Sequence, residues 1–364
     1  MTDHPSSPLD LADYGWQNDL AAEFAELFDG ADDILPGRIA VRYKGQYAIL
    51  TPEGEIAARI KGVLRYNAVT WAELPVVGDW VGVKKREHES LWRIQGILKR
   101  KTALQRKVKG SKTCAQVLAA NVTKAFIVMG LNEDFNPRRL ERYLVLVYET
   151  GIEPVVILNK ADLLDAEYVA ESLEEIQELS PGIVVLPISA LKGNGVELVA
   201  ELIAPHDTVV FVGSSGAGKS TLVNALMGQE IMATGETRED GRGRHTTTTR
   251  ELMRLPKGGL LIDSPGVREL QLWVDDESTE EGLAETFADI ESLSEKCRFQ
   301  DCTHRHEPGC AVLVALEEDD LSVSRYENYL SMKDELKQLR EREAQAKKLA
   351  KSRAFRPQKR TGNR

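Results

Sequence analysis

The sequence predicts a multidomain α/β protein that combines a small N-terminal β-barrel, an α/β domain with a parallel sheet, and a helical C-terminal region. Residues 37–104 contain short alternating apolar runs separated by close turns, which is typical of a barrel. After residue 122, continuous apolar runs alternate with helix-compatible segments, and this predicts a parallel sheet covered by helices on both faces. Beyond residue 266 the chain becomes acidic and helical around a group of cysteines and histidines.

Changes in composition divide the chain into five segments. Residues 1–34 form an acidic extension with a short amphipathic helix at 20–28. The remaining segments are an RNA-binding barrel of the oligonucleotide-binding (OB) type at 35–110, the α/β domain at 111–275, a metal-binding domain at 276–330, and a basic C-terminal helix and tail at 331–364.

The composition is that of a globular protein, with 42% hydrophobic and 29% charged residues in a chain of 364. The N-terminus lacks a basic start followed by an apolar stretch, and no run approaches the roughly eighteen apolar residues of a membrane span. We therefore expect a cytoplasmic protein without membrane contact, and a monomer. Four cysteines are too few for a disulfide scaffold, and Cys114 is expected to be an ordinary small side chain.

A phosphate-binding loop is predicted between an apolar strand at 209–212 and a helix-like segment from Thr221 onward. The loop matches G-x-x-x-x-G-K-[ST] with Gly213, Ser214, Ser215, Gly216, Ala217, Gly218, Lys219 and Ser220. In this motif backbone N–H groups surround the phosphates, the lysine contacts the β and γ oxygens, and the serine hydroxyl ligates Mg²⁺. Asp263, at the end of the apolar strand 259–262, is expected to hold Mg²⁺ through water, and the Gly266 N–H to sense the γ-phosphate.

A guanine-reading motif precedes this loop in the chain. Asn159, Lys160 and Asp162 follow the apolar strand 155–158, and the Asp162 carboxylate can accept hydrogen bonds from N1–H and the 2-amino group of guanine, which adenine cannot supply. Ser189 and Ala190 follow the next strand, where the Ala190 N–H is expected to meet the guanine O6. Since the two motifs normally occur in the opposite order, the sequence predicts a circularly permuted P-loop GTPase domain.

A switch segment is predicted at 235–250, because a glycine-rich stretch with consecutive threonines suits a loop that orders when one hydroxyl reaches Mg²⁺. Thr247 is the favoured ligand and Thr246 the alternative. Val267 stands where many GTPases carry a water-orienting glutamine, so slow intrinsic hydrolysis is expected. His245 is the candidate to position water, with Lys219 and Thr247 as further catalytic groups; a merely exposed or phosphate-bound histidine is the alternative.

A zinc site is predicted from three cysteines and a histidine within fourteen residues, in the pattern C-x4-C-x-H-x5-C. The candidate ligands are Cys297, Cys302, His304 and Cys310. This set suits a closed structural Zn²⁺ site with no open position for chemistry. His306 is an alternative to His304, and reduced cysteines without a metal are the other possibility.

RNA binding is expected from the charge distribution. Although the net charge is −10, residues 333–364 contain twelve Lys/Arg and four Asp/Glu, and residues 99–124 contain eight basic and no acidic residues. Cations also alternate with aromatic residues in the barrel, as at Arg42 to Lys44 and Arg65 with Tyr66. A solvated face with core aromatics is the alternative.

With these residues assembled, the chain closely resembles the ribosome small-subunit-dependent GTPase A family, a group of circularly permuted bacterial GTPases. The resemblance covers nearly the whole length and includes the motifs ending at Asp162, Ser220 and Gly266 as well as the metal pattern. It implies a GTPase that binds the small (30S) ribosomal subunit and its rRNA late in assembly, is stimulated by the subunit, and leaves after hydrolysis. It also implies GTP/GDP with Mg²⁺, one Zn²⁺ on the Cys/His set, and His245 as the hydrolytic histidine.

Two other classes of function are the alternatives. A P-loop kinase acting on a small molecule is disfavoured by Asp162, and competition between guanine and adenine nucleotides distinguishes it. An RNA-binding module with a degenerate nucleotide site is disfavoured by intact Lys219, Ser220 and Asp263, and GTP turnover with and without ribosomal subunits distinguishes it.

Overall fold

The N-terminal segment packs onto the barrel as part of its core. The structure, a computed structural model, describes residues 8–43, 45–68, 70–86, 88–107, 115–232, 250–263 and 278–354. A 3₁₀ turn at Leu11–Tyr14 leads to helix α1 (Asn18–Leu27). Phe28, after this helix, lies on the cross-strand pair Gly82 and Gly96, where a Cβ at Gly82 would be 2.4 Å from its ring. Only glycine at these two positions leaves room for the aromatic ring.

The barrel is closed by five strands. They are β1 (Leu35–Tyr43), β2 (Gln46–Thr51), β3 (Gly54–Ile60), β4 (Trp80–Lys84) and β5 (Trp92–Ile97), with helix α2 (Gly62–Asn67) after β3. The pairing order is β1-β2-β3-β5-β4, and β4 pairs again with β1. Side chains such as Ile39, Ile49 and Ile94 fill the interior with no exposed surface. The predicted OB-type barrel is confirmed.

A hairpin connects the barrel to the α/β domain. Its strands are β6 (Ala103–Lys107) and β7 (Ala115–Ala120), and they pair in antiparallel fashion. The boundary expected between residues 110 and 111 falls between these two paired strands, within a stretch that the structure does not describe.

The α/β domain contains a parallel sheet with one antiparallel edge strand. Its strands are β8 (Lys124–Gly130), β9 (Glu153–Asn159), β10 (Val184–Pro187), β11 (Thr208–Val212), β12 (Arg250–Arg254) and β13 (Leu260–Asp263). The order is β10-β9-β8-β11-β13-β12, and all pairs are parallel except β13–β12. The strands β8, β9, β11 and β13 are almost wholly buried, as expected for a parallel sheet covered on both faces.

Helices cover both faces of this sheet. They are α3 (Pro137–Tyr148) and α4 (Ala166–Leu179), which pack with one apolar cluster, and α5 (Val196–Glu201) and α6 (Lys219–Met227), which pack with the other. The Asn136 side chain caps α3 by accepting from the Arg139 N–H at 3.0 Å, and Pro137 occupies the first turn, where its missing N–H costs no helical hydrogen bond.

The edge strand β12 joins the two domains into one sheet. It pairs with barrel strand β1 at Val41 with Glu251 and Arg42 with Arg250, which gives a continuous sheet of eleven strands. The sequence did not predict β12, because three of its five residues are charged and it therefore lacks the apolar run that marks the buried strands.

The C-terminal region is helical, as predicted. Helices α7 (Ser278–Thr286), α8 (Ala288–Ser294), α9 (Ala311–Glu317) and α10 (Val323–Ala354) surround the buried rings of Phe287 and Tyr329. Val145 and Leu146 of α3 belong to the same cluster, so this region packs directly on the α/β domain. Over the ranges that the structure describes, no helix has the length and apolar character needed to cross a membrane.

Candidate functional site

The predicted phosphate loop lies between β11 and α6, and two of its glycines are required by close contacts. Gly213 has a φ of 137°, and a Cβ there would be 2.1 Å from the Val128 carbonyl oxygen. Gly218 has a φ of 93°, and a Cβ there would be 2.1 Å from Asn159 Nδ2. The Lys219 side chain is 7% exposed and donates from Nζ to the carbonyl oxygens of Gly213, at 2.8 Å, and Ser214. The loop therefore curves around its own lysine.

Asn159 joins three loops of the site. Its Nδ2 donates to the Ala217 carbonyl at 2.9 Å, and its Oδ1 accepts from the Ala190 N–H at 3.0 Å. The side chain is 2% exposed, so both hydrogen bonds are shielded from water. The two motifs that occur in inverted order in the sequence thus meet in space, because the carboxyl ends of parallel strands share one edge of a sheet.

The expected guanine-binding residues lie beside this contact. Lys160 has a left-handed backbone (φ 66°), and its aliphatic stem passes Gly130, where a Cβ would be 3.4 Å from Lys160 Cδ. Asp162 lies exposed in a 3₁₀ turn at Ala161–Leu163. Ser189 is buried, and its N–H donates to the Asn194 carbonyl at 2.9 Å. This arrangement leaves the Asp162 carboxylate open to a ligand.

The expected magnesium-binding residues line one small pocket. Ser220, at the start of α6, and Asp263, at the end of β13, both border it together with Lys219. Thr221 follows in the first turn of α6 and is half-buried. The remaining predicted residues of this site, namely His245, Thr246, Thr247, Gly266 and Val267, lie outside the described ranges, as does Cys114.

The four predicted metal ligands converge in the C-terminal region. The ligand atoms of Cys297, Cys302, His304 and Cys310 all lie within 4.8 Å of one another. Cys297 Sγ is 3.8 Å from Cys310 Sγ, and His304 Nδ1 is 3.6 Å and 3.5 Å from these two sulfurs. Zn–S bonds of about 2.3 Å and Zn–N bonds of about 2.0 Å at a tetrahedral angle place two sulfurs about 3.8 Å apart and sulfur and nitrogen about 3.5 Å apart. The cluster is therefore consistent with zinc binding.

The pKa shifts of Cys297 and His304 favour the deprotonated forms that bind a metal, and that of Cys302 opposes it. Burial lowers the pKa of His304, which keeps the imidazole neutral. Burial opposes ionisation of Cys297, but the N–H groups of Ala311 and Val312 outweigh it and lower the pKa of this thiol. Burial, together with the neighbouring thiols, raises the pKa of Cys302 to about 11, so that a cation is needed to hold it as a thiolate at neutral pH.

Comparison with known proteins identifies the family. A family model described as RsgA GTPase matches residues 97–273, and a second, described as 50S ribosome-binding GTPase, matches residues 208–347. Curated relatives include the small ribosomal subunit biogenesis GTPase RsgA 1 of Oceanobacillus iheyensis, 44% identical over 85% of this chain and 87% of its own length. RsgA of Opitutus terrae is 42% identical over 90% of both chains.

The chain belongs to the RsgA GTPase family. Solved structures agree with this assignment. YjeQ from Thermotoga maritima aligns over 83% of this chain and 98% of its own, with a TM-score of 0.62 and 27% identity. YloQ, described as a circularly permuted GTPase, aligns over 85% and 97%, with a TM-score of 0.61 and 27% identity. The predicted permuted GTPase fold is confirmed, and as an RsgA-family member the chain is a GTP hydrolase, for which a guanine nucleotide and Mg²⁺ are implied.

An acidic residue beside the RsgA phosphate loop was missed by sequence reasoning. Asp134, between β8 and α3, accepts a hydrogen bond from Ser214 Oγ at 2.5 Å and pairs with Arg139 at 2.5 Å. Its position in the sequence could have indicated it, since Asp134 follows a parallel strand and so lies at the same sheet edge as the phosphate loop. Nothing in the sequence alone indicated which loop it would touch.

The ligand loop of the metal cluster is held by a residue that the sequence pattern also did not reveal. The Glu307 carboxylate accepts from the N–H groups of Thr303, Arg305 and His306 at 3.0 to 3.1 Å. The hydrogen bond from the Thr303 hydroxyl, followed by those from the backbone N–H groups of His306, Thr303 and Arg305, holds the pKa of Glu307 well below its usual range. On the far side of the imidazole, Ser294 Oγ lies 3.1 Å from His304 Nε2 and fixes the ring so that Nδ1 faces the sulfurs.

The basic stretch at 99–124 is less available to RNA than expected. Arg100 forms a two-point ion pair with the fully buried Asp79, at 2.7 and 2.8 Å. Lys124 pairs with Asp207 at 2.8 Å and donates to the Leu202 carbonyl. Both cations are therefore structural, and their charge is not free to meet phosphate.

Proposed function

We propose that this RsgA-family GTPase binds the small ribosomal subunit and its rRNA in the cytoplasm, assists a late step of subunit maturation, and dissociates after hydrolysing GTP. Curated relatives that cover most of the chain are named as small ribosomal subunit biogenesis GTPases, which supports the choice of partner. The observation that carries the nucleotide part is the pair of hydrogen bonds made by Asn159, since it unites a base-reading loop and a phosphate-binding loop in one site.

Each residue of the nucleotide site has a proposed role. Lys219 and the loop N–H groups bind the β and γ oxygens, Ser220 ligates Mg²⁺ with Thr247, and Asp263 holds the ion through water. Asp162 reads the guanine edge, and the exposure of its side chain supports this role. Gly266 senses the γ-phosphate. Intrinsic turnover is slow, because Val267 offers no group to orient water, and His245 supplies this role when the subunit stimulates hydrolysis.

One zinc ion is proposed for Cys297, Cys302, His304 and Cys310. The donor set fits a closed tetrahedral site, since Cys297, His304 and Cys310 are spaced by 3.5 to 3.8 Å and all four ligand atoms lie within 4.8 Å of one another. Bound there, the ion supplies a cross-link and no chemistry, since four protein ligands leave no open position. The fixed orientation of His304 by Ser294 supports this assignment of the histidine over the alternative, His306.

One end of the barrel is the proposed rRNA contact. A cross-strand row runs around this end and consists of Tyr43, Gln46, Arg59, Arg93 and Lys84. Tyr66 of α2, 89% exposed, and Tyr43, 54% exposed, offer faces on which bases can stack. Arg42, Arg59 and Arg65 form no ion pair with any acid in the part of the chain that the structure describes, so their charge is available to phosphates.

The large ribosomal subunit is a second candidate partner, because the model described as 50S ribosome-binding GTPase matches residues 208–347. That match begins at β11 and includes the phosphate loop, but it does not cover the barrel. The comparison of small and large subunits in one assay therefore separates the two candidates.

The test is GTP turnover with small subunits, with large subunits and without either. We expect stimulation by small subunits only. Lys219→Ala or Ser220→Ala should weaken GTP binding by about a hundredfold, because each removes a charged or metal-mediated phosphate contact. His245→Ala should retain GTP binding and lose stimulated turnover. Equal stimulation by both subunits would refute the choice of partner, and undiminished turnover by His245→Ala would refute its role.

A further inference from the structure

The loop that follows β8 touches the phosphate loop through a carboxylate. Asp134 Oδ2 accepts from Ser214 Oγ at 2.5 Å and from the Gly130 N–H at 3.2 Å. The Asp134 side chain is only 16% exposed, so this contact is largely shielded from solvent. Through it the first half of the phosphate loop is tied to the end of β8, in addition to the close contact of Gly213 with Val128.

This position carries an electrostatic penalty. A loop that binds phosphates must accept several negative charges, and a carboxylate hydrogen-bonded to a residue of that loop lies well within the screening length of about 8 Å at physiological salt. An unpaired Asp134 would therefore repel the nucleotide that the loop is built to hold.

Arg139 supplies the opposing charge from the first turn of α3. Its guanidinium lies 2.5 Å from Asp134 Oδ1 and also donates to the main-chain oxygen of Asp134. One oxygen of the carboxylate thus faces the arginine while the other faces Ser214. The Asp134–Arg139 pair has no net charge, and Asp134 Oδ2 still accepts the hydrogen bond from Ser214.

We propose that Arg139 is a positioning residue for the nucleotide site: it neutralises Asp134, so that a carboxylate orders the phosphate loop without repelling phosphate. This inference rests on the proposed function, in that residues 213–220 must bind GTP. Arg139 acts through Asp134 and Ser214 and does not itself contact the nucleotide.

The test measures binding of fluorescent GDP and of a non-hydrolysable GTP analogue at low and high salt. Arg139→Gln should weaken binding by about tenfold at low salt, more for the triphosphate than for the diphosphate, and less at high salt. Adding Asp134→Asn should restore binding, because asparagine keeps an acceptor for Ser214 and removes the uncovered charge. Asp134→Asn alone should bind at least as tightly as the wild type.

Arg142→Gln is the matched control. It removes a positive charge three residues further along α3, where Arg142 pairs with Glu335 at 3.0 Å. It should leave nucleotide binding unchanged. If Arg139→Gln binds as the wild type does, or if Asp134→Asn fails to rescue it, the inference is wrong. If Arg139→Gln does not fold, the single Asp134→Asn variant decides, since a purely structural ion pair predicts weaker binding there. A wild-type protein that binds no guanine nucleotide would instead refute the proposed function.

Discussion

At the residue scale, Arg38 connects three parts of the molecule. Its guanidinium is 2% exposed and donates to the Tyr14 carbonyl, to the Gly78 carbonyl at 3.4 Å and to Thr208 Oγ1 at 2.8 Å. Burial lowers the pKa of Arg38, and the nearby Asp79 carboxylate acts in the opposite direction. Thr208 begins β11, the strand that leads into the phosphate loop, so one buried cation joins the N-terminal segment, the barrel and the nucleotide site.

Removing this cation should destabilise the junction. Arg38→Met is expected to lower the free energy of unfolding by about 3 kcal/mol, because it leaves buried carbonyl groups without donors. Thr208→Val, which removes one acceptor, should cost about 1 kcal/mol. Urea unfolding followed by the fluorescence of Trp16 and Trp80, whose rings lie 4.8 Å apart, measures both. Arg93→Met on the barrel surface is the control, and an equal effect there would contradict the assignment.

At the element scale, helix α3 lies between the nucleotide site and the metal-binding region. Its first turn carries Arg139, and its opposite side carries Glu141, which is 1% exposed. Glu141 accepts from Arg325 of α10 at 2.6 Å and from Asn328. Burial raises the pKa of Glu141, although both partners oppose the shift. A buried ion pair thus joins α3 to α10, and Tyr326 of α10 donates to the His304 carbonyl at 2.6 Å.

Loss of the metal should loosen this region and spare the nucleotide site. Structural zinc contributes about 10–16 kcal/mol of binding free energy, and this contribution would be lost from the region when the ion is removed. Cys302→Ser, or treatment with a chelator, is expected to expose residues 278–354 to limited proteolysis while GDP affinity changes less than about threefold. Cys114→Ser is the control. Protease resistance that survives complete zinc removal, verified by metal analysis, would contradict the prediction.

At the scale of the whole molecule, the acidic N-terminal segment pairs with cations elsewhere. Asp13 lies 2.9 Å from Arg254, and Asp19 and Asp33 pair with Lys101 and Lys84. All these side chains are at least one-third exposed, so each pair contributes little to stability. Their larger effect is on the surface potential, because they offset the charges of Lys84, Lys101 and Arg254, whereas Arg59 and Arg65 form no ion pair in the described ranges.

A charge-matched pair of variants tests this distribution. Replacing Asp13, Asp19 and Asp33 by asparagine should strengthen binding to an rRNA fragment and steepen its salt dependence, by about one unit of slope for each cation released. The control replaces Glu26, Asp29 and Asp32 by their amides, which changes the net charge equally but releases no paired cation in the described ranges. Equal gains from both variants would mean that only net charge matters.

The sequence predicted the features that depend on patterns among neighbouring residues. It did not predict features that depend on a contact with a residue far away in the chain. Apolar runs identified the buried parallel strands, and since their carboxyl ends share an edge, the meeting of Asn159 with the phosphate loop followed. Cysteine spacing likewise led to a compact four-ligand cluster. Arg100 was interpreted as RNA-facing because its charge is visible in the sequence, whereas Asp79, which neutralises it, is 21 positions away. Asp134 was missed for the same reason, since its partner Ser214 is 80 positions away.

The pairing of β12 with β1 has a consequence for dissecting the molecule. Excising the barrel would leave β12 as a bare edge with unpaired N–H and C=O groups, and strands in that condition recruit other chains. Isolated halves of this protein are accordingly expected to self-associate, whereas coexpressed halves should reassemble by restoring the shared ladder. The domain boundary along the sequence therefore does not separate the two domains in the structure, because the pairing of β12 with β1 crosses it.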